Sequence, residues 1–274
     1  MLGAANGTPK AYKGGNVKVA VLVKRVPDTA SVFKIADDNK SVVMDNLKFV
    51  MSPYDEVAME EAIRLKESSG AEVVVVSLGS KETTQIMRTA LAMGGDSGLL
   101  VTGEGLEGLT GKGIAQALAA ALKTLSPDLV FAGRQAVDDD ASQVPERIAE
   151  LLDISHASVV TRFELDGDKV VVDREIEGGH YTLEVPLPAL VTAQKSLNEP
   201  RYPTLPNIMK AKRKPITEMT LADLGLAAGD VASELVVDTM ALPRQERRQK
   251  ILEGESGERV AQLVKALGED EKVL

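Results

Sequence analysis

Four short apolar runs constrain what this chain can fold into more than anything else in it: VKVAVLV ending at Val23, AEVVVVSLG around Val75, GLLVT near Leu100 and DLVFAG near Val130. They are rich in β-branched residues and apolar throughout, as strands covered on both faces must be. Between them lie helical patterns over Pro53 to Lys66, Thr83 to Met93 and Ile114 to Leu125. Such alternation implies right-handed crossovers and a parallel sheet. With 274 residues, the chain is long enough to bury a sizeable core.

The first helix carries its own start signals. Ser52 stands at the N-cap and Pro53 at a position that needs no amide hydrogen. Asp55 has capping-box spacing, and Glu56 suits the positive end of the helix. Val57, Ala58, Ala62 and Leu65 share one face, which is expected to pack on the sheet.

After Leu152 the pattern changes to ASVVTRFELDGDKVVVDREIEGGHYTLEVPLPALVTAQ, with turn signals at Asp166–Gly167–Asp168 and Gly178–Gly179. It reads as an antiparallel excursion. From Leu197, Pro200, Pro203, Pro206 and Pro215 exclude long regular elements and leave a surface loop of fixed shape. TLADLGL is a small helical piece, Val236 to Gly257 an extended arm with a basic segment, and Glu258 to Leu267 a helix. The expected organisation is a flexible tail over 1–16, an α/β domain over 17–235 and an arm over 236–274.

Several chemistries are excluded or disfavoured. The net charge of −9 opposes non-specific nucleic-acid binding, and the absence of cysteine removes disulfides, thiolate catalysis and cysteine metal sites. His156 and His180 lack a nearby ligand triplet and read as structural or surface residues. There is no G-x-S-x-G elbow and no G-x-x-x-x-G-K-[ST] loop. No apolar run is long enough to cross a bilayer, and MLGAANGTPKAYKGGN lacks the features of a signal or transit peptide. The expectation is a soluble protein inside the cell.

The most informative local feature is GRQAVDDDASQVPERIAELL, Gly133 to Leu152, where a strand leads through three aspartates into a helix. Ligands of open α/β sheets bind at strand carboxyl ends, and a helix start offers free amides to phosphate. The acids need not face the phosphate; they can turn toward ribose, base or neighbouring amides. The alternative is that Asp140 or Ser142 simply caps the helix. Elsewhere, Arg174 and Glu175 are strand neighbours on opposite faces, either a solvated charge pair or one partner contact. KAKRKP, together with Leu205, Ile208 and Met209, is either a solvated face or a docking loop.

VKRVPDT, SPYDEVAMEEAIRLKE, RTALAMGGD, GRQAVDDDASQ, DREIEGG and LNEPRYPTLPNIMKAKRKP occur in an order and spacing that resembles the beta (small) subunit of electron-transfer flavoprotein, over roughly Val17 to Pro215. The resemblance implies a doubly wound, Rossmann-like, adenine-nucleotide-binding α/β fold. It implies heterodimerisation with an alpha subunit that holds most of the redox FAD, and structural AMP in the beta subunit. By the same resemblance, Ala136, Asp139, Ser142, Gln143 and Val144 bind AMP, while Leu22, Ser52, Pro53, Tyr54, Asp55 and Leu78 line the adenosine side.

The loop within 197–215 is similar to the family's recognition loop, with Arg201, Tyr202, Leu205, Ile208, Met209 and Lys210 docking flavin dehydrogenases such as an acyl-CoA dehydrogenase. The resemblance further implies that Leu205 enters their apolar pocket and that electrons pass onward to a quinone-linked oxidoreductase. Glu175 is implied to contact the alpha subunit's flavin domain, and Arg174 to support structure or the subunit interface. No catalysis by this chain, no nucleic acid and no membrane insertion are implied. The expected location is the cytoplasm of a bacterium in preference to a mitochondrial matrix.

Three departures bear on the nucleotide. Ser142 stands where familiar AMP-binding members have asparagine, and Val144 where they have threonine. Asp139 stands where a bifurcating subgroup, which binds a second FAD here, has the glycine of DGDT. That favours AMP, although VPDT at Val26–Thr29 and Gln143–Val144 resemble the bifurcating pattern. An adenylating or ATP-pyrophosphatase enzyme would need a Gly/Ser-rich loop where this chain has KRVPDT. A free-standing nucleotide sensor would need neither the docking loop nor the arm.

Overall fold

The computed structural model describes residues 17–233, 235–243 and 249–273. The tail expected over 1–16 and the basic stretch 244–248 of the arm lie outside the described residues. The described chain forms two compact units, 17–33 with 44–237 and 34–43 with 238–273. Residues 34–43, which the sequence places inside the α/β domain, thus group with the arm.

The larger unit is built on a nine-stranded sheet in which the apolar runs form four neighbouring interior strands: β1 (Lys18–Leu22), β4 (Glu72–Leu78), β5 (Ser97–Val101) and β6 (Leu129–Gly133). A separate antiparallel ribbon, β2 (Arg25–Pro27) with β3 (Phe49–Met51), leads out of β1. From β1 the chain winds outward through α1 (Pro53–Ser69), β4, α2 (Thr84–Met93) and β5. It then crosses back through α3 (Gly111–Leu125) to set β6 against the other side of β1. Winding therefore reverses between β1 and β6, which opens a crevice at their carboxyl ends. One apolar core joins the sheet to α1 and α2, and a second joins the opposite face to α3 and α4 (Val144–Leu152).

Local chemistry at α1 differs from the sequence expectation. The helix buries Val57, Ala58, Ala62 and Leu65 as expected, and Met59 and Ile63 with them. It ends at Gly70, whose φ of 76° is the left-handed conformation a glycine adopts without a Cβ penalty. Ser52 precedes the helix, but its hydroxyl makes no capping bond and is buried without a partner among the described residues. Nor does Asp55 complete a capping box; its carboxylate serves two strand ends instead.

The antiparallel excursion is β7 (Ser155–Asp166), β8 (Lys169–Ile176) and β9 (Gly179–Pro186), turning at both expected glycine sites. LPALVTA is not part of it. β10 (Ala189–Ala193) lies between β6 and β7 and is parallel to both. Parallel pairing leaves no local turn signal, so only its complete burial marks it as interior. The Pro-rich segment contains the short helix α5 (Leu205–Ala211), with Pro206 in its first turn, and β11 (Ile216–Met219) adds to the β5 edge. α6 (Ala228–Val231) buries Val231 near α3.

In the smaller unit, Ile35 and Val42 form an antiparallel bridge, and the Met240 amide donates to the Asn39 carbonyl at 2.6 Å. α7 (Ser256–Lys265) buries no residue, and Val260, Leu263 and Val264 lie exposed on it.

Candidate functional site

A cleft of about 390 Å³ occupies the crevice. Its floor is made by the ends of β1, β4 and β6, through Leu22, Val76, Leu78 and Ala132, and its rim by the starts of α3 and α4. Asp55 holds this floor together. One carboxylate oxygen accepts the Lys24 amide at 2.7 Å, and the other accepts the Gly133 amide at 3.0 Å. The strand ends on either side of the winding reversal are thereby tied. Burial pushes the Asp55 carboxyl up to about 7, outweighing the two amides and the Lys24 charge, while the nearby Asp138 charge adds to the rise.

The acidic loop is ordered by bonds among its own side chains and Lys24. The Lys24 ammonium reaches Asp138 at 2.8 Å and Asp139 at 3.0 Å. Burial works to lower the Lys24 pKa, but these two carboxylates outweigh it and hold the group above its ordinary value. Asp139 also accepts the Ala141 amide at 3.1 Å, and Asp140 accepts the Gln135 side-chain amide at 2.6 Å. The Ser142 hydroxyl donates to the Gln135 side-chain carbonyl at 3.3 Å.

Neither Asp140 nor Ser142 caps α4. Both have left-handed backbones, with φ of 47° and 49°, and the cap position is Gln143, whose side chain makes no capping bond and instead accepts from Arg147 at 3.0 Å. Among the described residues, the amides of Ser142 and Gln143 meet no acceptor. The arrangement is therefore a main-chain donor cradle at a helix start, with its acids bonded to Lys24, Gln135 and Ala141, beside an apolar floor. It fits a phosphate joined to a flat apolar base.

Of the residues expected at the site, Leu22, Asp55, Leu78, Ala136, Asp139, Ser142, Gln143 and Val144 line the cleft. Ser52, Pro53 and Tyr54 do not; Ser52 is fully buried, and Tyr54 packs against Gly133 in the first turn of α1. The sequence reading missed Lys24, Gln135 and the start of α3 at Thr110 and Gly111. A Cβ on Gly111 would lie 3.6 Å from both the Gln143 side-chain oxygen and a Val144 methyl, so the two helix starts adjoin. Thr110 followed by GKG was the available signal.

The other expected sites lie elsewhere. Tyr202 (94%), Leu205 (73%), Met209 (56%) and Ile208 (41%) are exposed together on the α5 segment, as is Lys210. Arg201 is not a free docking group, because its guanidinium is held by Glu60 and Glu67 of α1. Glu175 does not pair with Arg174; it is exposed and accepts the Gln194 side-chain amide at 2.9 Å. His156 and His180 are both exposed, and no metal-ligand cluster occurs among the described residues. None of the described helices is long and apolar enough to cross a membrane.

A doubly wound, mostly parallel α/β sheet with a cleft at its winding reversal places the chain in the Rossmann-like class of folds. The family model described as "Electron transfer flavoprotein domain" matches residues 40–224. The chain is 45% identical to the electron transfer flavoprotein subunit beta of Bradyrhizobium diazoefficiens, over 81% of this chain and 87% of that protein. Against the Bacillus subtilis subunit beta the identity is 40% over 93% and 98%, and against that of Mus musculus 44% over 84% and 90%. The chain belongs to the electron transfer flavoprotein beta-subunit family.

Proposed function

We propose that this chain is the beta subunit of a heterodimer that carries electrons from flavin dehydrogenases, of the acyl-CoA dehydrogenase kind, to a quinone-linked oxidoreductase. The observation that carries the AMP reading is the pair of unengaged amides at Ser142 and Gln143, set above the apolar floor of Leu22 and Leu78. Those amides and that of Val144 would hold the single phosphoryl group of AMP, and the apolar strand ends would face the adenine. Because Lys24 partly offsets Asp138 and Asp139, and Asp140 is turned to Gln135, the loop tolerates an anion despite its three acids. FAD, held mainly by the alpha subunit, supplies the one- and two-electron chemistry when bound. This chain's residues brace it without reacting.

Glu175, exposed beside Gln194, would contact the alpha subunit's flavin domain. The apolar face of α7 and the arm from 236 onward would contact the alpha subunit itself. Bacterial and mitochondrial relatives are consistent with a cytoplasmic or matrix location.

The test is nucleotide content. The heterodimer, denatured and analysed by mass, is expected to release one AMP and one FAD, and this chain alone no redox flavin. Two FAD per dimer would replace the reading with a bifurcating one, and no adenylate at all would end it. Separately, Leu205→Ala is expected to weaken dehydrogenase docking roughly 10- to 100-fold, the loss of one buried leucine of about 1.5–3 kcal/mol. Nucleotide content should stay unchanged, and equal reduction rates for mutant and parent would remove Leu205 from the anchor role.

A further inference from the structure

The exposed apolar residues at 202–209 sit on a segment fastened at both ends by polar contacts, most of them half-buried. At its start, Arg201 donates to Glu60 through its main-chain amide at 3.1 Å, through Nε at 2.8 Å and through Nη2 at 2.9 Å. Its guanidinium also reaches Glu67, through Nη2 at 3.0 Å and through Nη1. Asn198 donates to the Val57 carbonyl at 3.1 Å and to Glu61 at 2.9 Å. At its end, Arg88 of α2 donates to the carbonyls of Ala211, at 2.7 Å, and Lys214, and the Lys214 ammonium donates to the carbonyls of Leu91, at 2.9 Å, and Gly95. Between the two fastenings, Ala211 is the only residue of α5 that is buried.

This distribution is unusual for a helix that merely covers a core. The Glu60 side chain is 4% exposed, and a carboxylate so buried is costly unless paired; besides Arg201 it accepts from Arg64 of its own helix at 3.2 Å. Burial alone would raise its pKa; the Arg201 guanidinium and amide, with a smaller contribution from Arg64, reverse that and hold it below the ordinary value. The pairing fixes the point where the chain enters α5, while Arg88 fixes where it leaves. α5 lies along α2 but buries only Ala211 there, so apolar packing holds a seven-residue helix weakly and these polar contacts fix where its ends sit.

We propose that Glu60 and Glu67, which grip Arg201, are positioning residues for electron-transfer docking: with Arg88 at the far end they hold 198–214 so that Leu205, Ile208 and Met209 are presented to the partner as a preorganised apolar knob. The inference rests on the docking reading of the proposed function. Its physical basis is that a contact already ordered before encounter avoids the entropy of ordering on binding.

The test uses the reconstituted heterodimer and an acyl-CoA dehydrogenase, with heterodimer concentration varied. Glu60→Gln, which keeps the shape and removes the charge, is expected to raise KM for the heterodimer roughly 5- to 10-fold with kcat and nucleotide content unchanged. Glu67→Gln, on the exposed outer side of the clamp, cannot unfold the chain and is expected to give a smaller rise of roughly 2- to 5-fold. Combined with Leu205→Ala, the Glu60→Gln effect should largely vanish, since there is no longer a knob to position. If Leu205→Ala raises KM but neither glutamate variant does, or if the effects simply multiply, the positioning role is wrong while docking stands. An unaltered KM in Leu205→Ala overturns the docking reading, and this inference with it.

Discussion

Replacing Asp55 by asparagine is expected to destabilise the chain by about 1–3 kcal/mol, the cost of leaving one buried main-chain amide without an acceptor. The carboxylate offers an oxygen to each of the Lys24 and Gly133 amides, whereas an asparagine offers one oxygen and turns an NH2 toward the other amide. Because these amides belong to the strand ends that floor the cleft, nucleotide retention should fall with stability. The pH dependence provides an independent check. Asp55 has an ordinary value of 3.8 and is pushed up to about 7 by burial, so between those values the folded chain holds a proton that the unfolded chain has released. Stability from this group is complete below about pH 4 and is lost as pH rises to about 7. The asparagine variant lacks that titration, so the difference between parent and variant should shrink across the window when unfolding is followed in denaturant at a series of pH values. Parallel curves from pH 4 to 7 would mean that burial does not raise the Asp55 carboxyl, and a variant as stable as the parent would remove Asp55 as the tie.

That role was not legible in the sequence, for a specific reason. Ser52, Pro53 and Asp55 have the spacing of a helix start, and helix-start logic assigns Asp55 to its own helix. Its actual partners are main-chain amides 31 and 78 residues away, which side-chain identities do not encode. Similarly, β10 reads as the last strand of a meander because parallel neighbours are joined by no local turn, and α5 is hidden by the prolines that begin and follow it. What the sequence does encode is burial. β1, β4, β5 and β6 are interior strands and announce it by their unbroken apolar runs. The loop after β6 was legible as a site because it joins such a strand to a helix start. The matching start of α3, equally close to the cleft, carries no acids to draw attention to it.

The acidic run itself shows how residue type can mislead about what a loop binds. Three adjacent aspartates suggest a cation site, yet two are bonded to Lys24, the third to Gln135, and the donors left unengaged are amides. A cradle of this kind depends on the chain passing close over β6, and that makes Gly133 the second position where a small change has a large effect.

Gly133→Ala is expected to cost about 3 kcal/mol or more, at or above the upper end of overpacking penalties, because the added methyl meets main chain. A Cβ there would lie 2.7 Å from the Tyr54 Cβ and 2.8 Å from the Tyr54 carbonyl carbon, and would press on the Asp55 carboxylate. Neither Tyr54 atom can rotate away; α1 must lift from β6, and lifting it draws Asp55 off the Lys24 and Gly133 amides. Overpacking and loss of the tie are thus one event, so the penalties of Gly133→Ala and Asp55→Asn should be less than additive in the double variant. In thermal unfolding the single change should lower the midpoint by roughly 6–12 °C and empty the cleft of nucleotide. Gly179→Ala, with nothing within 4 Å of the added methyl, is the control and should unfold like the parent. A Gly133→Ala chain that melts with the parent and keeps its nucleotide would mean that α1 can move off the strand end without disturbing the cradle, and that the cleft is not built around the Asp55 tie.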